Sequence, residues 1–476
     1  MFFTPIRGIV AALAIGVAVA PLAAQTPSDT TPGPTTLRYK GVNLTPIGFF
    51  AIEGIFRSGN ETADMGSSFN GIPFNHTTNG QMSEFRMSGR QSRIGMLAEG
   101  KTSEMNLTGY WEADFLSAGV TSNSNESNSY TLRVRQIFGQ AAFKGGFTLA
   151  GGQTWSLITT NKSGVQPRGE DVPLTIDAQY AVGFNWARQA TFRLSEKLAD
   201  HAWLAVAAEG PEMTFAARNA PAGFVIGQVG GSQLNQLTNY STDLAPDVIG
   251  KLAVEPGFGH WELKAIGRAL RQRYVNPTGL NGGSRNSTTF TGGVGLGAFL
   301  SFAKSADLTI SGLYGRGIGR YGTSQLPDAT VGADSTILPI RQAHAMAELD
   351  VHASPKLDIY LIGGTEYAFR TASVTAAGRG VGYGSPLLAN SGCDTETAST
   401  GPFAPGAPAA GTCNADTQSL VQGNLGFWYR VYRGTAGTFQ WGLQYSHTVK
   451  RTWDGLGDHP QASDNMGFAS VRYYLP

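Results

Sequence analysis

Three spacings in this 476-residue sequence look chemical. His344, Glu348 and His352 recur every fourth residue, Ser446 precedes His447, and Gly293, Gly295 and Gly297 alternate like a dinucleotide-binding loop. Each reading depends on the element beneath it. On a strand, residues four apart lie about 13 Å from one another, too far to ligate one metal. Neighbouring strand residues point to opposite faces, so His447 cannot serve Ser446 as a base. A glycine fingerprint binds phosphate where a strand gives way to a helix. Here, and at Gly315, Gly317 and Gly319, a strand pattern follows instead, and glycine that permits close strand packing is the better reading. Neither catalysis, a cofactor nor a metal is expected.

A second set of residues has a different chemistry, that of charge along a wall. The elements that position it are strands. At the end of the sequence, Ala469, Val471, Tyr473 and Leu475 alternate with Ser470, Arg472 and Tyr474. In water such an aromatic edge invites aggregation, whereas a strand closing a membrane barrel has lipid on one face and a wet lumen on the other. The pattern recurs at 46–57, 90–100, 104–116, 130–144, 147–157, 187–197 and 202–209, then in hairpins turning near 256–259, 304–306, 354–356 and 433–437. Sixteen strands result, joined by seven short turns that alternate with eight long loops. The fold class expected is an all-β, transmembrane antiparallel barrel with short periplasmic turns and long extracellular loops. A propeller or solenoid would need a fixed period or blade motif, and neither is present. A barrel of this size leaves an aqueous lumen, so its interior is expected to be polar and its role to be transport.

Composition agrees. Glycine numbers 63, aromatics reach 10% and charged residues only 14%. The formal charge of +1 gives no call for nucleic acid. Arg7, an apolar run from Ile9 to Val19 and small residues at Ala20, Ala23 and Ala24 form an export signal over 1–24. A short Thr/Pro-rich periplasmic tether (25–45) then leads into a barrel spanning 46–476. Cys393 and Cys413 bracket a Gly/Pro/Ala/Thr-rich stretch of the large extracellular loop 370–417. In an oxidising compartment a disulfide is expected, stabilising that loop by ~3 kcal/mol on the chain-entropy account; two free thiols are the alternative.

Alternation places Arg93, Arg133, Arg135 and Arg193 inside, on the second, fourth and sixth strands. Glu348, Asp350, Asp358 and Glu366 point inward from the twelfth and thirteenth. A basic wall facing an acidic one favours anions. The competing assignment pairs the arginines with Glu112 and Asp114 on the third strand, as wall reinforcement. The loop 158–186, with Lys162, Arg168, Glu170, Asp171 and Asp177, is the candidate constriction; its alternative is a solvated external loop.

The segments "RQSRIGM" (90–96), "GQTWS" (152–156), "RQATFRL" (188–194), "PDVIGKL" (246–252), "GHWELKAIGRALR" (259–271) and "GRGIGRYG" (315–322) occur in an order that resembles DcaP-like outer-membrane porins. The resemblance spreads over most of 46–476. It implies a homotrimer of sixteen-stranded channels favouring small anionic solutes, notably dicarboxylates. Partners implied are outer-membrane lipid and the outer-membrane assembly machinery that inserts such barrels. A surface adhesin or receptor acting through its loops, or a phosphate- or sugar-selective channel, are the competing functions.

Overall fold

A computed structural model describes residues 36–117, 130–229, 239–276, 278, 282–302 and 305–476. The expected signal segment and most of the tether lie outside these residues. Among the described residues the main sheet has nineteen strands. Three are short pieces, Leu37–Tyr39, Glu84–Ser88 and Phe224–Val225, that extend longer neighbours. The remaining sixteen form the wall: β1 Val42–Arg57, β2 Arg93–Lys101, β3 Met105–Asp114, β4 Arg133–Phe143, β5 Thr148–Trp155, β6 Arg188–Ala199, β7 Ala202–Glu209, β8 Asp247–Val254, β9 His260–Tyr274, β10 Arg285–Phe302, β11 Ala306–Arg316, β12 Arg341–Ser354, β13 Leu357–Ala368, β14 Thr417–Gly434, β15 Gly437–Thr452 and β16 Gln461–Tyr474. Each pairs antiparallel with the next, and β16 closes the ring on β1 through the register Phe49↔Tyr474 to Arg57↔Met466. A closed ring leaves no sheet edge, which is what a strand structure in lipid requires.

The wall strand β1 begins at Val42, before the expected start at Pro46. The lower part of β1 pairs with β2 on one side, while β16 reaches no further down than Phe49. Pro46 therefore sits where β1 is singly paired, a position that tolerates its missing N–H.

Hydrophobicity is inverted relative to a water-soluble protein. Along β15, Phe439, Trp441, Leu443 and Tyr445 are exposed while Gln440, Gln444, Ser446 and Lys450 are buried. Along β12, Leu349 and Val351 face outward, with Gln342, His344, Glu348 and Asp350 inside. The outward band is the lipid face and the polar inner face lines the lumen. The wall is uneven in height. Strands β5, β7 and β8 have 8 residues each, whereas β10 and β14 have 18.

The lumen is fuller than its polar wall implies. Loops entering from the tall rim carry apolar side chains inward. Met65, Ile72, Ile176, Tyr180 and Phe184 pack with the wall residues Tyr360 and Trp428. Ile318 and Tyr321 pack with Leu157, Ile158 and Ile249. The expectation of a polar rather than packed interior thus holds for the wall's inner face and not for the space it encloses, because the loops bring their own apolar surface to bury. Cys393 and Cys413 are bonded to each other, closing the large loop after β13.

Candidate functional site

The segment between β5 and β6 runs through the lumen. In a dry interior its backbone N–H groups need acceptors, and the wall supplies them from side chains. Asn161 N–H donates to Glu262 on β9 at 2.9 Å, and Leu174 N–H to Glu348 on β12 at 2.8 Å. Ile176 N–H donates to Gln444 on β15 at 2.6 Å, and Val182 N–H to Gln422 on β14 at 2.9 Å. Gly183 N–H reaches Glu366 on β13 at 3.0 Å. From the opposite direction, the Trp428 indole donates to the Leu174 carbonyl at 2.8 Å. These bonds alone tie the segment to five strands of the tall wall, and Tyr180 ties it to β4.

The charged residues of this segment mostly hold it in place. Lys162 lies 3.3 Å from Asp171, which also accepts from the Thr309 hydroxyl of β11. Arg168 stacks over the Tyr110 ring at 5.1 Å. Glu170 forms an isolated backbone bridge with Asn161. Asp177 accepts from the backbone N–H groups of Ser67 and Gln179 at 3.1 and 2.8 Å. At its start the segment meets a ladder on the wall, where Lys251 and Lys264 both lie 2.9 Å from Glu262 and Lys251 donates to the Thr159 carbonyl at 2.7 Å.

The carboxylates of β12 and β13 divide by task. Glu348 and Glu366 accept from the lumen segment, and Glu366 also takes Ser324 N–H at 3.1 Å. Asp358 sits 2.9 Å from His352 and pairs with Arg430 of β14. Asp350 is buried beside Glu348, with its Oδ1 atom unbonded.

Among the four arginines read from alternation, three are engaged. Arg133 makes a two-pronged bond to Asp114 at 2.9 and 2.7 Å. Arg135 donates to Glu112 at 2.5 Å, to Asp114 at 2.8 Å and to the Tyr180 hydroxyl at 2.8 Å. Arg193 is buried and donates to the Trp155 carbonyl at 2.7 Å. Arg93 differs. Its nearest carboxylate, Glu112, is 3.9 Å away, its guanidinium lies 5.1 Å over the Phe49 ring, and it faces a cavity of about 470 Å³.

That cavity lies between the lumen segment (Val172–Thr175, Asp177, Tyr180) and the short-turn rim, marked by Arg433 and Thr438. Three further guanidinium groups join Arg93 on its lining: Arg430, Arg433 and Arg472, against the carboxylates of Asp177 and Asp358. Arg472 is sandwiched 5.0 Å from the Phe49 ring and 4.6 Å from the Trp428 ring, and donates to Glu53 at 2.5 Å. Stacking restrains the Arg93 and Arg472 planes. Arg472 spends its N–H edge on Glu53 and Arg430 is paired with Asp358, whereas Arg93 keeps its edge toward the cavity, where carboxylate or phosphate oxygens would fit. Sequence reading placed Arg472 inward without assigning it a role, and passed over Arg430 and Arg433. Alternation from Trp428 reaches Arg430. Arg433 is out of phase by one residue because β14 has a bulge between Arg430 and Tyr432.

Comparison with solved structures follows from this geometry. The outer-membrane channel DcaP of Acinetobacter baumannii superposes with a TM-score of 0.63 at 16% identity, covering 92% of this chain and 99% of that one. The chain has an outer-membrane channel fold. Two looser likenesses are an anion-selective porin from Comamonas acidovorans (TM-score 0.47, 9% identity, 91% and 100% covered) and Salmonella typhi OmpF in complex with daunomycin (0.47, 10%, 93% and 100%). No protein-family model and no curated protein sequence matches the chain. The fold gives the barrel an outside and an inside: the apolar band faces outward, and the lumen segment and the arginine-lined cavity lie within.

Proposed function

We propose that the protein is a porin of the outer membrane through which small hydrophilic, preferentially anionic solutes diffuse passively. The observation that carries this reading is the cavity beside the lumen segment, where four guanidinium groups face Asp177 and Asp358 on the lining and Glu53 behind Arg472. A surplus of fixed positive charge in a narrow, low-dielectric passage concentrates anions. Arg93 and Arg433, neither closer than 3.9 Å to a carboxylate among the described residues, offer a solute with two carboxylates two separate cationic points, so dicarboxylates are the solute class proposed. The lumen segment 158–186 is the proposed constriction. Export by the signal at 1–24, insertion by the assembly machinery and the absence of catalysis and cofactor belong to the same reading.

Homotrimer formation is part of the proposal. Its support is the low flank of the wall, where Gly100, Gly109, Gly139 and Gly151 line an outward apolar concavity with Leu107 and Phe192. A second copy can approach the backbone closely there.

The test is the reversal potential of single channels in a salt gradient. Arg430→Gln with Arg433→Gln should shift it toward cation preference, with the shift shrinking as salt rises. An unchanged reversal potential in the double variant would refute the anion-selective role. A second reading, a loop-acting surface receptor with a plugged bore, is favoured by the apolar clusters that the loops form in the lumen. Folded protein that inserts into bilayers without conducting would select it.

A further inference from the structure

Arg316, the last residue of β11, is the direct cross-strand partner of Arg341, the first residue of β12. Both are exposed on the outward face of the barrel, at the rim of the long loops. Cross-strand partners have Cα atoms about 4.5–5.5 Å apart, and like charges so placed disfavour the sheet. Among the described residues neither guanidinium has an ion-pair partner. The nearby carboxylates Asp247 and Asp328 are inside, each 3.0 Å from Arg268. An anion from outside the chain is what such a pair lacks.

The surroundings indicate the kind of anion. The Arg341 guanidinium is restrained 4.0 Å over the Phe369 ring, and its N–H groups have no hydrogen-bond partner among the described residues. Further up the β9–β10 hairpin, Arg273 stands opposite Asn286 and Arg285 stacks 5.0 Å over the Tyr274 ring. Toward the membrane the surface turns apolar at once: Tyr314 is 49% exposed, its cross-strand partner Val294 57% and Leu296 66%. Cationic groups directly above an apolar band match a molecule with phosphates joined to acyl chains. A free phosphate has no use for the band, and a soluble protein would not meet it.

We propose that the outer rim of β9–β12 is a docking surface for a phosphate-bearing glycolipid of the outer leaflet, with Arg316 and Arg341 clamping one phosphate between them. The inference uses the orientation in which the long loops face outward. That orientation is tested separately by protease added to intact cells, which should cut within 370–417.

The decisive experiment is native mass spectrometry of the purified full-length barrel with bisphosphorylated lipid A as the probe. Binding should fall roughly tenfold or more in Arg316→Gln/Arg341→Gln, the scale of one or two charge-assisted hydrogen bonds, and lipid A stripped of phosphate should bind weakly to either protein. Arg316→Lys/Arg341→Lys, which keeps the charge without the fork, should bind at an intermediate level. Heat-modifiability on gels shows that each variant is a folded barrel. Equal binding by wild type and the glutamine variant overturns the proposal, as does equal binding of the dephosphorylated lipid. Competition by inorganic phosphate at the same concentration as the lipid overturns it too, since the apolar band would then contribute nothing.

Discussion

Arg135 on the wall and Tyr180 in the lumen segment meet through a 2.8 Å hydrogen bond, with the phenol oxygen accepting. The contact joins β4 to a segment whose backbone N–H groups are bonded to β9, β12, β13, β14 and β15. Tyr180→Phe removes it while leaving Arg135 its two carboxylates. The expected cost is about 1 kcal/mol, felt by the segment and not by the barrel. Hydrogen exchange over residues 172–183 should speed up, and single-channel current should become noisier with the same heat-modifiability. Unchanged exchange in that stretch would show that Tyr180 does not anchor it.

Arg133 and Arg135 share Asp114, yet their surroundings differ. The Arg133 side chain is 36% exposed and that of Arg135 only 1%. Arg135→Gln leaves Asp114 to Arg133 alone and Glu112 to the Tyr110 hydroxyl and the more distant Arg93. The loss of buried charge-assisted hydrogen bonds should destabilise the barrel by about 1.5–3 kcal/mol. Arg133→Gln acts in a wetter place and should cost less than about 1 kcal/mol. Neither should move the reversal potential as far as Arg430→Gln with Arg433→Gln. Urea unfolding in detergent, followed by tryptophan fluorescence, gives the order; equal losses for both variants would contradict it.

All sixteen wall strands were legible because alternation and the long/short connection rhythm are written residue by residue. Which inward charges face open space was not. Alternation reports a face and not a partner, so it put Arg93 and Arg135 together although only Arg93 reaches the cavity. Bulges hid more. At β3–β4 the register shifts at Glu112/Ala113, and Arg135 and Gln136 are both buried as a result. On β14 the shift after Arg430 turns Arg433 toward the lumen. The packing of the lumen was illegible for another reason: loops 58–92 and 317–340 have no period, and their apolar residues find partners only once the barrel encloses them.

The Cys393–Cys413 bond lies in a loop beyond the wall, so its loss should leave the barrel intact. Cys393→Ser is expected to fold, insert and remain heat-modifiable, while protease added from the loop side cuts 394–412 faster. The loop-closure entropy released is worth ~3 kcal/mol to that loop alone. A variant that fails to form the barrel would mean the bond guides folding of the wall as well.

The same loop is held to the one after β1 by a pH-sensitive contact. His76 Nδ1 lies 2.6 Å from Asp394 Oδ2, and Asp394 Oδ1 also accepts the His76 backbone N–H at 2.7 Å. The hydrogen bond to Asp394, and then its charge, raise the imidazole pKa above the ordinary histidine value. A raised pKa means the folded, docked state binds the proton more tightly than the undocked one. Its contribution is therefore complete below the ordinary value of about 6.5 and is lost as pH climbs through the raised one. The ring is exposed, so salt should weaken the effect. Hydrogen exchange in 388–414 should quicken as pH rises above the ordinary histidine value of about 6.5, beyond the intrinsic rise in chemical exchange rate. His76→Gln keeps the backbone bond and removes the titrating group, so this extra acceleration should vanish. If the variant shows the same pH dependence as wild type, another group controls the docking of the loop.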